Sequence, residues 1–96
     1  MGIVPMVLNL SIQPAEVEPG ETVTIMASVT NNSNMEGTYH IVLKINGVKE
    51  AEKSVTVGAD SSQDVSFSVT REEAGSYSVV LDELAGSFTV VEVLHD

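Results

Sequence analysis

The chain has no cysteine and no tryptophan, and only four basic residues. Each shortage excludes something. Without cysteine there is no disulfide and no thiolate metal site, so the core must hold the fold unaided. Four Lys and Arg against fourteen Asp and Glu leave a formal charge of −10. That balance repels nucleic-acid phosphates and anionic membrane faces alike, and a solvated, self-repelling surface is its ordinary meaning. No apolar run reaches the roughly 18 residues that cross a bilayer as a helix, so no membrane insertion is expected. The opening MGIVPMVL is apolar but has neither a basic segment nor a cleavage site, and so makes a poor signal peptide. Met6 stands where a myristoylation motif needs Ser or Thr.

What the chain does have is a period of two. Val23, Ile25, Ala27 and Val29 alternate with Thr24, Met26, Ser28 and Thr30. Tyr39, Ile41, Leu43 and Ile45 do the same, as do Val65, Phe67 and Val69, and Tyr77, Val79 and Leu81. Each such run reads as a strand with one buried face. The reading is an all-β chain of about seven strands, near residues 7–12, 21–30, 38–45, 49–57, 63–70, 76–82 and 86–92. Residues 7–93 form one domain, with 1–6 as a linker and 94–96 as a tail. The expected core is Leu10, Ile12, Val23, Ile25, Val29, Ile41, Leu43, Phe67, Val69, Tyr77, Val79, Leu81, Phe88 and Val90. Ninety-six residues suffice for one such core and leave little for a deep cleft.

The connections have their own signals. Pro19-Gly20 suits the centre of a type II turn, because Pro presets φ and Gly accepts the positive φ that follows. Pro14 cannot donate to a ladder, so the first strand ends or kinks there. Thr70-Arg71-Glu72-Glu73 fits a capping box, which predicts one helical turn closed by Gly75. Asn46-Gly47 marks a hairpin. A two-residue loop would turn Glu50 and Glu52 toward the core. A three-residue loop, or a bulge further along, is therefore expected. Three of the four basic residues, Lys44, Lys49 and Lys53, lie in this hairpin, where lysines protect an edge strand.

No residue set announces a chemistry. Nucleophilic catalysis needs a base beside its hydroxyl. The two histidines are His40, on an outward strand position, and His95, one residue from the end. Glu16, Glu18, Glu21, Glu72, Glu73, Asp82 and Glu83 lie at connections, where acids are ordinarily solvated. Calcium is the fairer rival, with Asp60 and Asp64 four apart, but no Asp-rich calcium loop occurs. Sugar stacking needs exposed rings, and Tyr39, Tyr77, Phe67 and Phe88 all fall on the apolar register. Two sequons occur, Asn9-Leu10-Ser11 in a strand and Asn31-Asn32-Ser33 in a loop, and the loop is the natural place for a glycan. No catalytic, cofactor-binding or metal-ligating residue is assigned, and the chain is read as a non-enzyme.

The phrase REEAGSYSVVL has the form of the segment that ends immunoglobulin domains: an acid, Ala-Gly, a Tyr, and an inward position two residues on. Cysteine usually fills that last place; here it is Val79. Tyr77 is expected to form the tyrosine corner, ring buried and hydroxyl aimed at upstream backbone. The run NLSIQPAEVEPGETVTI, then VTN with EGTY, LKING and AGSYSV, resembles CARDB, a cell-adhesion-related family of bacterial and archaeal surface proteins. The likeness covers about residues 9–91. It implies an immunoglobulin-like antiparallel sandwich without a disulfide, used as a module of a larger exported or cell-surface protein. It carries over no active-site residue and no cofactor. The expected partner is a protein or glycan at the cell surface. An accessory glycan- or calcium-binding module of a secreted hydrolase is the alternative.

Overall fold

The computed structural model of the chain describes residues 6–92. Eight strands are present among them: β1 (Met6–Gln13), β2 (Glu16–Val17), β3 (Thr22–Asn31), β4 (Gly37–Ile45), β5 (Val48–Val57), β6 (Ser61–Thr70), β7 (Gly75–Leu81) and β8 (Leu84–Val90). They form two sheets, in the orders β1-β3-β6 and β2-β8-β7-β4-β5. The chain is an all-β immunoglobulin-like sandwich, and the seven expected strands are all there. The eighth, β2, pairs in parallel with β8 through Glu16 and Val17. Two residues are too few to show a period, and Val17 is nonetheless buried. β1 takes in Met6, which the sequence reading gave to a linker; 1–5 and the tail 94–96 lie outside the described residues.

The alternating apolar residues meet between the sheets. Val23, Ile25, Val29, Leu43, Val79 and Leu81 have no exposed surface. Val79, in the place of the usual cysteine, thus belongs to an apolar core shared with Ile25 of the facing sheet. Leu10, Ile12 and Tyr77 are only half-buried and pack against that core rather than within it. β1 explains the first two. Its register slips between Leu8 and Ser11, with Asn9 in the left-handed region at φ 61°. β1 is an edge strand, and beyond the bulge Leu10 and Ile12 lie against Gly86 of β8 at the rim of the sandwich.

The turn at Pro19-Gly20 is as expected. The Glu21 N–H donates to the Glu18 C=O at 3.1 Å, and Gly20 has φ 84°. Of the two forms expected for the β4–β5 hairpin, the structure takes the bulge further along and not the three-residue loop. Ile45 pairs with Val48 around a two-residue turn in which Asn46 and Gly47 both have positive φ. The bulge comes later: Lys44 pairs with Lys49 but Leu43 with Ala51, leaving Glu50 out of the ladder. That shift returns Ala51, Val55 and Val57 to the core side, as the apolar pattern requires.

The expected capping box does not form. β6 runs through Thr70, residues 71–74 make a bend without a helical turn, and Gly75 opens β7. The polar groups of that bend serve other segments. The Arg71 C=O accepts from Gly20 N–H at 3.0 Å, and its guanidinium donates to Glu50 at 2.5 Å. The Tyr77 hydroxyl donates to the Glu73 C=O at 2.7 Å, so the tyrosine corner is present.

The second sheet is staggered, and the stagger shapes the molecule. β4 pairs with β5 along its whole length, from Gly37 to Ile45. With β7 it pairs only at Leu43, Lys44 and Ile45. At the end marked by Asn31, Gly37 and Ser61, three strands of one sheet therefore face two strands of the other. At the end marked by Thr22, Thr70 and Gly75, β2, β7 and β8 complete the second layer. Met6 pairs with Thr30 at the first end, and Val90 with Gly75 at the second. The described chain thus enters and leaves at opposite ends.

Candidate functional site

The outer face of the β4–β5 hairpin holds the most organised polar group of the described chain. His40 and Ser54 are directly opposite in the ladder, and Glu52 is their diagonal neighbour. His40 Nε2 lies 2.7 Å from a Glu52 carboxylate oxygen, and Nδ1 lies 3.3 Å from the Ser54 hydroxyl. Lys49 joins at 2.8 Å from the same carboxylate oxygen. Lys49 first, and His40 after it, hold the Glu52 carboxyl below the usual carboxylate range.

A hydroxyl, an imidazole and a carboxylate in line are the parts of a nucleophilic relay. The surroundings are wrong for one. The group sits on an open sheet face, His40 and Glu52 are well exposed, and the carboxylate is shared with lysine. The N–H groups of β4 and β5 lie in the plane of the sheet and none rises onto the face that carries Ser54, so no oxyanion site forms there. Sequence reasoning placed His40 on the outward face correctly. It did not bring Ser54 and Glu52 to it, because that neighbourhood depends on the bulge at Glu50.

The other candidates are dispersed. Asp64 accepts from the Ser28 hydroxyl on the outer face of the first sheet, whereas Asp60 is in the β5–β6 turn with its N–H on the Ser33 C=O. Glu21 accepts from the Glu18 N–H, and Glu72 stands beside Gly20. Asp82 and Glu83 form the β7–β8 turn. Among the described residues no three His, Asp or Glu side chains gather as a metal site would require. His95 lies outside the described residues. Tyr39, Phe67 and Phe88 are buried. Tyr77 stacks on Phe88 with ring centroids 5.1 Å apart, and the Arg71 guanidinium lies over its ring. No ring among the described residues offers a free face to a sugar.

The two sequons change places. Asn31 is the one fully buried polar residue of the described chain. Its Nδ2 donates to the C=O groups of Met35 and Val57, and its Oδ1 accepts from the N–H and hydroxyl of Ser33. A glycan on that nitrogen would break the anchor of the β3–β4 loop. Asn9, in a strand as expected, is exposed at the β1 bulge.

The free edges are treated unequally. β5 ends its sheet and carries Lys49, Lys53 and the Glu50 bulge. Lys53 reaches across to the Ser66 C=O of β6 and lies over the Phe67 ring, closing the gap between the sheets. The upper edge of β4, Gly37 to Ile41, has no such device.

Comparison with known proteins fits this architecture. Residues 3–86 match the CARDB family. The chain belongs to that family. A solved CARDB domain from Pyrococcus furiosus, in complex with di-metal ions, superposes with a TM-score of 0.69 at 18% identity, covering 92% of this chain and 86% of that one. A β-glucosidase from Erythrobacter marinus contains a similar sandwich, with a TM-score of 0.85 at 14% identity over 93% of this chain. A cycloisomaltooligosaccharide glucanotransferase from Paenibacillus sp. contains another, with a TM-score of 0.72 at 25% identity over 88%. The CARDB chain spans only 16% of the glucosidase and 13% of the transferase. No curated protein matches it.

Proposed function

We propose that this CARDB domain is a non-catalytic module of a larger exported or cell-surface protein, which spaces or presents other domains there or holds a protein partner. The family itself is non-catalytic and associated with surface and exported proteins. The observation that carries the reading is the path of the chain. Met6 and Val90 lie at opposite ends of the sandwich, beside Thr30 and Gly75. Domains joined at the two ends are held apart by strands of ten residues, roughly 30 Å at the usual rise per residue. The charge of −10 keeps such a spacer soluble and free of its neighbours.

The test is small-angle scattering from two copies joined through their own ends. An extended dimer with a length near twice that of the single domain supports the spacer. A compact, folded-back dimer overturns it.

A second reading has one observation in its favour. Similar sandwiches occur within two glycan-processing enzymes, and a CARDB domain has been solved with di-metal ions. An accessory glycan- or calcium-binding module of a secreted hydrolase would share this fold. Calorimetry with calcium and a glycan-array screen separate the two. A saturable micromolar signal in either favours the accessory module; silence in both retires it.

A further inference from the structure

We infer that the upper edge of β4, from Gly37 to Ile41, accepts one further strand, an extended segment of another protein with basic side chains at its ends. The inference rests on the partner-holding arm of the proposed function and says where and what that partner is.

Three observations lead to it. The first is the backbone. The Asn46 N–H donates to the Ser78 C=O, and the Val42 C=O accepts from the Asp82 N–H, so these even-numbered positions turn their polar groups toward β7. The two-residue period of a strand turns the N–H and C=O of His40 and Thr38 the same way. β7 has stopped at Leu81, and no described strand follows in its lane. β4 is thus a central strand below Val42 and an edge above it. Across the core, β1 still covers the first sheet at this level through Met6, Val7 and Leu8. Among the described residues, one place in the second layer is vacant.

The second is Tyr39. It is 8% exposed, and its hydroxyl is buried with no partner among the described residues. A Cβ on Gly37 would stand 2.6 Å from that oxygen, so the hydroxyl lies against the top of the open edge. Buried hydroxyls are normally bonded, and an orphan beside a vacant strand position is what an absent neighbour leaves behind.

The third is charge. Glu36 flanks the edge at its top and Asp82 and Glu83 at its foot, and none of the three is in an ion pair among the described residues. Between them Thr38 and Ile41 are uncharged, and His40 is held by Glu52. This differs from the lysine-guarded edge of β5. A second copy of the chain would bring its own excess of ten negative charges to acids already there. A strand ending in Lys or Arg meets them favourably and adds main-chain bonds to Thr38 and His40.

The probe is a capped hexapeptide of alternating Thr and Val between two terminal lysines, titrated into the nitrogen-15-labelled chain. Saturable shifts at the Thr38 and His40 amides, with slowed hydrogen exchange there, are expected. The same peptide ending in glutamates should bind about tenfold more weakly or worse, and salt should weaken the lysine form. Thr38→Pro removes an N–H that points to the vacancy while leaving the β5 ladder intact, and edge strands tolerate such a proline. It should bind at least about tenfold more weakly with an unchanged fold. If Thr38→Pro unfolds, peptides N-methylated at alternate residues replace it: methylation on one face must abolish binding and on the other must spare it. Shifts confined to β5 or β1, equal binding by Thr38→Pro, indifference to methylation, or no binding at all would each overturn the inference. None of these touches the scattering result, so the spacer reading stands or falls separately.

Discussion

β4 and β5 form one hairpin, and each has an edge that no described strand pairs, yet the two are built differently. The β5 edge carries two lysines and a bulge, and Lys53 stitches it to the other sheet. The upper edge of β4 carries no cation, no proline and no bulge. Charged residues and bulges are the ordinary means of keeping an edge from pairing. The difference shows where pairing is being prevented. Both sheets end together at β5 and β6, and a strand added there would extend the molecule without limit. At upper β4 the opposite sheet continues past the edge, and an added strand would complete a layer.

Leu43 is the interior counterpart of these edges. There β4 is paired on both sides, with Ala51 and with Leu81, and the side chain is fully buried. Leu43→Ala should cost about 2–5 kcal/mol in a denaturant titration. A loss below about 0.5 kcal/mol would mean that the paired half of β4 is no core strand. Ile25→Ala, from the facing sheet, should fall in the same range.

The open end has a different anchor. Asn31 ties β3 to the Met35 and Val57 carbonyls and to Ser33. Asn31→Ala would leave those carbonyls buried or half-buried without their donor, at a cost of about 1–3 kcal/mol. The loss should appear with faster amide exchange in the β3–β4 and β5–β6 loops. An unchanged midpoint would show that the open end is held by its apolar contacts alone.

Two tyrosines sharpen the contrast further. The Tyr77 hydroxyl, at the closed end, donates to Glu73; the Tyr39 hydroxyl, at the open end, has no described partner. Tyr77→Phe should cost about 1 kcal/mol, the usual net worth of a hydrogen bond. Tyr39→Phe should cost nothing measurable or stabilise slightly, since it removes an unpaired buried oxygen. Equal losses in the two variants would show that Tyr39 finds a partner in solution.

Much of this was legible beforehand. Strand period gave the two faces of β3, β4 and β6, because a single buried face writes itself into every second residue. The phrase around Tyr77 gave the corner. Three things were not legible. β2 is too short to carry a period. The place of the bulge at Glu50 was open, because a three-residue loop and a later bulge satisfy the same apolar pattern. Asn31 read as a loop residue because its burial comes from partners at Met35 and Val57, and composition around it says only that the segment is polar. The vacancy beside β4 was hidden for the same kind of reason. It arises from where β7 stops, and nothing in the sequence of β4 records it.

The smallest effect belongs to the guarded edge. Glu52 is exposed, and Lys49 and His40 together lower its pKa. A carboxylate whose folded-state pKa is depressed adds stability above its unfolded value, and that contribution is lost as pH falls through the lowered folded value. The loss should therefore fall on the acid side of the ordinary glutamate pKa, about 4.3. Exposure and salt keep it small. Acid titration of Glu52→Gln against the parent chain should show the parent losing slightly more stability over that window, with the two curves parallel above it. The difference should shrink in high salt. Curves that stay parallel down through the acid window would mean that Lys49 and His40 do not engage Glu52 in solution, and that the β5 edge is guarded by its bulge and Lys53 alone.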